Sequence, residues 1–209
     1  MGIFSRLFES TESAKQFKSV PVQTSEMLDE DVFWNLVQTS IDRSGGDQER
    51  QLIVLIQELE KLEPIDIVGF RLRTDRLLYD TYNSKFWCAG YIMNGGCSDD
   101  MFEYFRLWVI SKGKAIYGSA KANPDSLVTQ HKEDIEFYEF EMFWYVSLTA
   151  FKNVTGKELY DSIDYKNFQF GEGNYPQFEF DWSDEDPDTM KSLCPQLFER
   201  FLANVEPAE

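Results

Sequence analysis

The sequence predicts an all-α protein, a single multi-helix domain of about seven helices with a short extended, β-like aromatic segment near the C-terminus. Two observations support this fold class. Apolar residues recur at the three- and four-residue spacing of amphipathic helices over most of the chain. Start signals such as Asp29 and Pro64, and stop signals such as Gly45-Gly46, divide the pattern into segments of helical length. The 209 residues exceed a typical domain of roughly 150, so we expect one domain with appendages.

The first six helices follow from these signals in chain order. Most segments combine an apolar stripe with a capping residue, a proline at the start or a glycine at the end, and the short fourth and sixth segments end at turn residues. The predicted helices run from Asp29 to Gly45, from Asp47 to Pro64, from Pro64 to about Tyr82, over about 85–93, from Ser98 to Gly113 and over about 114–122.

Aromatic residues dominate the rest of the chain. The segment 133–151 is apolar nearly all round, which predicts a long central helix that stops at Thr155-Gly156. Phe178, Phe180 and Trp182 alternate with acidic residues, a period of two that fits a short strand or an extended clamp. A closing helix begins after Asp186-Pro187 and is interrupted at Pro195.

Charge and composition divide the chain into three parts. Residues 1–24 are predicted to form a flexible tail, because 10–24 are polar and lack an apolar period. Residues 25–156 form the expected helical core domain. Residues 157–209 hold 13 acidic and 4 basic residues and are expected to form an acidic extension packed on that core.

The overall composition excludes several classes of protein. With 20 Lys and Arg against 37 Asp and Glu, the net charge of −17 argues against nucleic acid as a partner. A single histidine rules out a multi-His metal site, and three cysteines without a CxxC pair disfavour a zinc knuckle or a disulfide framework. No apolar run reaches the roughly 18 residues of a membrane span. We expect a cytoplasmic protein with no integral membrane association, no metal and no cofactor; the oligomeric state stays open.

One loop carries most of the chemistry that the sequence offers. Helical spacing places Trp87, Tyr91 and Asn94 on one face of the fourth helix, and a similar spacing joins Asp99 to Arg106 on the fifth. The two faces meet at Gly95-Gly96, where backbone amides are accessible to a ligand. The candidate ligand-binding residues are Trp87, Tyr91, Asn94, Asp99, Asp100, Arg106 and Glu141. A structural alternative stays open, in which Ser98 caps the fifth helix while Asp99 and Asp100 stabilise the positive end of its dipole.

Two further charged groups are possible parts of a site. Glu139 and Glu141 fall within the long predicted aromatic helix, where a buried carboxylate would need an arginine such as Arg106. The third predicted helix carries Arg71, Arg73 and Arg76. These arginines either receive a phosphate or carboxylate ligand or pair within the protein.

The segment from Tyr91 to Arg106, with its Asn94-Gly95-Gly96-Cys97-Ser98-Asp99-Asp100 core, resembles the uncharacterised bacterial family known as domain of unknown function 4240. Similar stretches lie at 29–34, 123–127 and 155–159, so the resemblance covers roughly 29–159 and extends more loosely into 182–201. The resemblance implies a helical bacterial domain and directs attention to the loop, but it implies no reaction.

Two functions remain as hypotheses. The first is an interaction module whose acidic surface, densest over 172–188, binds a basic protein partner, as a toxin-neutralising immunity protein does. The alternative is a small-ligand-binding protein or an enzyme with its site at the 94–100 loop. The sequence lacks an obvious catalytic pair, which favours the first.

Overall fold

A computed structural model describes residues 17–171 and 174–203 of the protein. The described residues form α-helices and short 3₁₀ helices with no β-strand, which confirms the all-α class. Their only β pairing is one parallel bridge between Thr24 and Ile163. The α-helices are α1 (Glu30–Ser44), α2 (Gln48–Leu59), α3 (Pro64–Asp80), α4 (Ser84–Asn94), α5 (Asp99–Ser111), α6 (Lys114–Ala122), α7 (Val146–Thr155), α8 (Pro187–Leu193) and α9 (Pro195–Phe201). The 3₁₀ helices are Pro124–Gln130, Glu141–Tyr145 and Leu159–Ser162.

The predicted caps fix the ends of the first helices. The carboxylate of Asp29 accepts the N–H groups of Asp31 and Val32, and that of Asp47 accepts the N–H of Arg50 at 2.8 Å. α1 ends at Gly45, which adopts the left-handed conformation at φ +64°. The boundaries of α1 to α6 therefore lie within a few residues of those expected.

The core lies where α1, α3, α5 and α7 meet. Phe33 of α1 stacks on Phe70 of α3 with their centroids 4.5 Å apart, and both side chains are fully buried. Phe143 reaches the same cluster from the 3₁₀ helix before α7. α2 packs on α1 and α7 and encloses the opposite side of this cluster.

The long helix predicted over 133–151 is wrong. Residues 131–140 are irregular, 141–145 form a 3₁₀ helix, and the α-helix begins at Val146 and ends before Gly156. The N–H of Tyr138 donates to the Oδ1 of Asn94 at 2.7 Å, and that of Phe140 donates to the carbonyl of Tyr104 at 3.1 Å. These long-range partners replace the intrahelical bonds that the aromatic pattern suggested.

The residues before α1 contact the residues after α7. The N–H of Thr24 donates to Ser162, and the Thr24 carbonyl accepts the N–H of Asp164. Lys18 donates its N–H to Val154 and its amine to the carbonyl of Leu62. The remainder of the predicted tail, residues 1–16, lies outside the described residues.

The C-terminal part crosses α4 and then closes the fold. The alternating aromatic stretch forms no strand within 174–203, and the indole of Trp182 donates to the carbonyl of Ser84 at 3.0 Å. The closing helix divides into α8 and α9 at Cys194, as predicted from Pro195. The buried carboxylate of Asp125 accepts the N–H of Leu197 at 2.9 Å and so anchors α9.

Candidate functional site

The loop between α4 and α5 has the geometry of two helix caps. Gly95 ends α4 with φ +66°, and the N–H of Gly96 donates to the carbonyl of Tyr91 at 3.0 Å. The hydroxyl of Ser98 accepts the N–H of Met101 at 3.3 Å. Asp99 and Asp100 lie exposed in the first turn of α5, where their charges stabilise the helix dipole.

Trp87 forms the buried wall beneath this loop. Its ring stacks on Phe102 with centroids 4.3 Å apart, and its indole N–H donates to the carbonyl of Cys97 at 2.9 Å. The hydrogen bond fixes the loop to α4. The ring also makes edge contacts with Tyr82 and, in the C-terminal part, with Phe178 and Phe180.

The side chains of Tyr91 and Asn94 form hydrogen bonds with different parts of the protein. The hydroxyl of Tyr91 donates to Asp184 at 3.2 Å, and its ring packs against Trp182. Burial, followed by the charge of Asp184, raises the pKa of Tyr91. Asn94 instead accepts the N–H of Tyr138, while its Nδ2 is buried without a hydrogen-bond partner among the described residues.

Arg106 is buried below the surface, with 2% of its area exposed. It donates to the carbonyls of Leu78 at 2.7 Å and Phe102 at 3.2 Å. Its guanidinium lies 5.0 Å from the ring centroids of both Tyr82 and Tyr175. Burial lowers the pKa of Arg106, although an arginine stays charged at neutral pH.

Glu141 lies apart from these residues. It is exposed and, together with Gln48, Glu139 and Phe140, lines a groove of about 250 Å³ between α2 and the segment before α7. Since the helix that would have buried Glu139 and Glu141 does not form, neither carboxylate needs an arginine to offset burial. The structure thus brings Trp87 and Asp99 together at one groove, directs Asn94 and Arg106 to other partners, and places Glu141 at a different groove.

The one cysteine in the loop is not an activated nucleophile. Burial raises the pKa of the Cys97 thiol to about 12, although the charge of Arg106 lowers it; Asp99 adds a smaller increase. The thiolate, which is the reactive form, is therefore scarce at neutral pH. Within the described residues there is also no group of three or more His, Cys, Asp or Glu that could hold a metal ion.

A groove lined by aromatic rings, hereafter the aromatic groove, lies beside this loop and has a volume of about 410 Å³. Tyr82 and Tyr175 stack nearly parallel, with their centroids 4.3 Å apart. Phe180 makes an edge contact with Trp87 and keeps 52% of its surface exposed. The groove is lined chiefly by Tyr82, Trp87, Asp99, Tyr175, Phe178 and Phe180.

The aromatic groove adjoins the most acidic segment of the protein. Residues 174–188 contain six acidic residues and no lysine or arginine, and all six are exposed. Asp99 adds a carboxylate from the other side of the groove. Sequence reasoning identified Trp87 and Asp99, and found Phe178 and Phe180 only as a period-two pattern; nothing in the sequence indicated that these groups converge.

Residues 28–153 match the model of a family described as a protein of unknown function, DUF4240. This region is more than half of the chain. The chain belongs to the DUF4240 family. Neither a curated protein nor a solved structure matches it.

The DUF4240 region supplies one side of the aromatic groove. Tyr82, Trp87 and Asp99 lie within 28–153, whereas Tyr175, Phe178 and Phe180 lie beyond it. The groove is therefore a composite of the family region and the acidic C-terminal part.

Among the described helices, none has the length and apolar character required to cross a membrane.

Proposed function

We propose that this DUF4240 protein is an interaction module for a basic protein, and that the aromatic groove receives a lysine or arginine side chain of that partner. One observation carries the proposal: aromatic rings, of which Phe180 is exposed, and the Asp99 carboxylate line a groove next to a segment with six exposed acids and no base. A cation binds favourably in such a groove, because ring faces and a carboxylate both attract positive charge.

The energetics favour a protein partner over a free ion. A cation over an aromatic face is stabilised by roughly 0.5–2 kcal/mol, which is too weak to retain a small cation alone. A basic protein gains more, since its long-range attraction to the acidic segment speeds association. Phe180 then supplies an exposed aromatic anchor of the kind that is enriched at protein interfaces.

An enzyme or small-ligand site confined to the 94–100 loop has less support. Tyr91, Asn94 and Arg106 each direct a polar group to Asp184, Tyr138 or Leu78 within the protein. A ligand that engaged these paired groups would have to displace their bonds, which leaves only the Nδ2 of Asn94, unpaired among the described residues, for it. A toxin-neutralising immunity protein, which covers a basic surface with an acidic one, is a class that suits the proposed surface.

A titration with an arginine- and lysine-rich peptide tests the proposal. Phe180→Ala and Asp99→Asn remove the exposed ring and the carboxylate of the groove. The matched controls are Phe137→Ala, a Phe that is 47% exposed elsewhere, and Asp100→Asn, an exposed acid in the same helical turn that does not line the groove. We expect the peptide's Kd to rise about fivefold or more in each groove variant and less than twofold in each control, measured by calorimetry at low salt.

Equal losses of peptide affinity in the groove variants and in their controls would contradict the proposal. They would indicate that the peptide is attracted only by the overall charge of the protein. With cell extract of the source organism, a true partner is captured by the native protein and by Asp100→Asn but not by Phe180→Ala. High salt should release it, since screening weakens the attraction.

A further inference from the structure

A second cavity concentrates positive charge in this acidic protein. It lies among α1, α3 and α6, has a volume of about 390 Å³, and shares no lining residue with the aromatic groove. Four basic side chains line it, namely Arg73, Arg76, Lys114 and Lys121. Two acidic side chains, Glu30 and Asp80, also line it, so the cavity carries net positive charge within a chain of net charge −17.

Arg73 gives this cavity a cation without a carboxylate partner. Its Nε and one terminal nitrogen donate to the carbonyl of Leu28 at 3.0 and 2.8 Å. No ion pair joins Arg73 to any acid of the described residues. A carbonyl fixes the guanidinium in place but leaves its full charge, and its remaining N–H groups, available to an anion.

The two acids of the cavity are already engaged. Glu30 accepts the indole N–H of Trp34 at 3.2 Å. Asp80 is shared by two cations, because Arg76 lies 2.9 Å and Lys121 2.7 Å from its carboxylate oxygens. Asp80 thus offsets one of the two positive charges beside it, and Glu30 keeps its own negative charge. The four basic side chains that line the cavity still exceed its two carboxylates by two charges.

Lys114 completes the arrangement from the first turn of α6. Its amine pairs with Asp31 at 2.8 Å, but both side chains are largely exposed, and such surface pairs exchange readily for another anion. On the apolar side of the cavity, Trp34 packs against Tyr117 with ring centroids 5.3 Å apart. The volume lies within the range of small-molecule sites, roughly 300–1,000 Å³.

We infer that this basic pocket, defined by Arg73, Arg76, Lys114 and Lys121, binds a small metabolite that carries a phosphate or carboxylate group. Guanidinium and ammonium groups that converge from two helices match the oxygens of such an anion. The Trp34 and Tyr117 rings would contact its less polar part. This inference does not depend on the aromatic groove or on a protein partner.

Calorimetric titrations of the full chain with inorganic pyrophosphate and with citrate test the inference. The double variant Lys114→Gln with Lys121→Gln removes two pocket cations. The matched control is Lys152→Gln, since Lys152 is similarly exposed and pairs with Glu158 at the same 2.7 Å as Lys121 with Asp80. We expect saturable binding of at least one probe, a loss of about tenfold or more in the double variant, and less than twofold in Lys152→Gln.

A steric variant separates a pocket from general electrostatic attraction. A side chain at Gly118, which lines the cavity, would enter open space, because a Cβ built there has no atom within 4 Å. Gly118→Leu retains every charge and favours the helix, so it should keep the melting temperature and abolish binding. Binding of pyrophosphate alone would assign a phosphate ligand, and binding of citrate alone a carboxylate.

Three outcomes would overturn the inference. The first is the absence of saturable binding of either probe to the native protein. The second is an equal loss of probe affinity in Lys152→Gln and in the double lysine variant. The third is undiminished binding in a folded Gly118→Leu protein.

Discussion

The guanidinium of Arg106 connects two helices from inside the protein. It bonds to the carbonyl of Leu78 near the end of α3 and to Phe102 on its own helix. The rings of Tyr82, Phe102 and Tyr175 lie within 5.0 Å of it. Its position therefore explains why an arginine on the apolar helix α5 supports the aromatic groove without being exposed to a ligand.

Removal of this side chain should be costly. Arg106→Ala deletes two buried hydrogen bonds and leaves a void, so we expect the free energy of unfolding to fall by about 3 kcal/mol. The control Arg200→Ala removes an arginine that is 47% exposed and lies 3.7 Å from Glu133, and should cost less than about 1 kcal/mol. Chemical denaturation of both variants measures the difference, and equal losses would rule out a structural role for Arg106.

Lys112 is a partly buried lysine whose pKa is lowered. Burial, with a smaller repulsion from Lys132, lowers the pKa of Lys112 to about 8. Its Nζ lies 5.1 Å from the centroid of the Trp108 ring. Below pH 8 the folded protein must hold a charged amine, whereas above the usual lysine pKa of about 10.5 both the folded and the unfolded chain are neutral there.

Because the pKa of Lys112 is lowered, replacing this lysine with a neutral side chain should raise stability by an amount that depends on pH. Between pH 8 and about 10.5 the unfolded chain binds a proton that the folded protein lacks, so the contribution of Lys112 to stability improves as pH rises. Lys112→Met should be more stable than the native protein at pH 7 by on the order of 1–2 kcal/mol, with a gap that closes toward pH 10.5. The exposed Lys157→Met is the control, and a gap that is constant with pH would contradict the shift.

At the scale of the element, Gly69 explains how α3 meets the segment before α1. Its carbonyl accepts the N–H of Leu28 at 2.9 Å. A Cβ on Gly69 would approach the nitrogen of Leu28 to 2.7 Å, closer than normal contact allows. A glycine that appears unfavourable for a helix is therefore required by a crossing backbone.

Two helical glycines provide a matched test of this contact. Gly69→Ala gains helix propensity but must displace a backbone, so we expect a net loss of about 1–3 kcal/mol of unfolding free energy. Gly118→Ala meets open space and should gain about 0.5–1 kcal/mol. Thermal and chemical denaturation compare the stabilities of the two variants. A stabilised Gly69→Ala protein would contradict the prediction, because it would show that the segment before α1 moves aside without cost.

The elements differ in how well the sequence predicts them. The starts of α1, α2 and α5 could be predicted because the side chains of Asp29, Asp47 and Ser98 accept backbone N–H groups no more than three residues further along the chain. The segment 133–151 could not, because its aromatic pattern is equally compatible with a buried irregular segment. Asn94, which lies 44 residues from Tyr138, decides the outcome by accepting its N–H.

At the scale of the whole molecule, charge is unevenly distributed. The net charge of −17 coexists with a cavity lined by four basic residues and with a segment, 174–188, that has none. The basic pocket lies, apart from Met27, within the DUF4240 match, whereas the aromatic groove extends beyond it. The two proposed sites can therefore be tested separately, one by anion titration and one by a basic peptide.

The sequence by itself determined the helical class, the limits of most helices, the family and the acidic character, because caps, apolar spacing and charge act over a few residues or need no geometry. Only the tertiary structure decided that Phe180 and Trp87 flank one groove with Asp99, that Arg106 is buried, and that Glu141 lies elsewhere. Those relations depend on contacts between residues far apart in the chain; Tyr91 and Asp184, for example, form a hydrogen bond across 93 residues. Chain packing brings them together, and no local pattern encodes that packing.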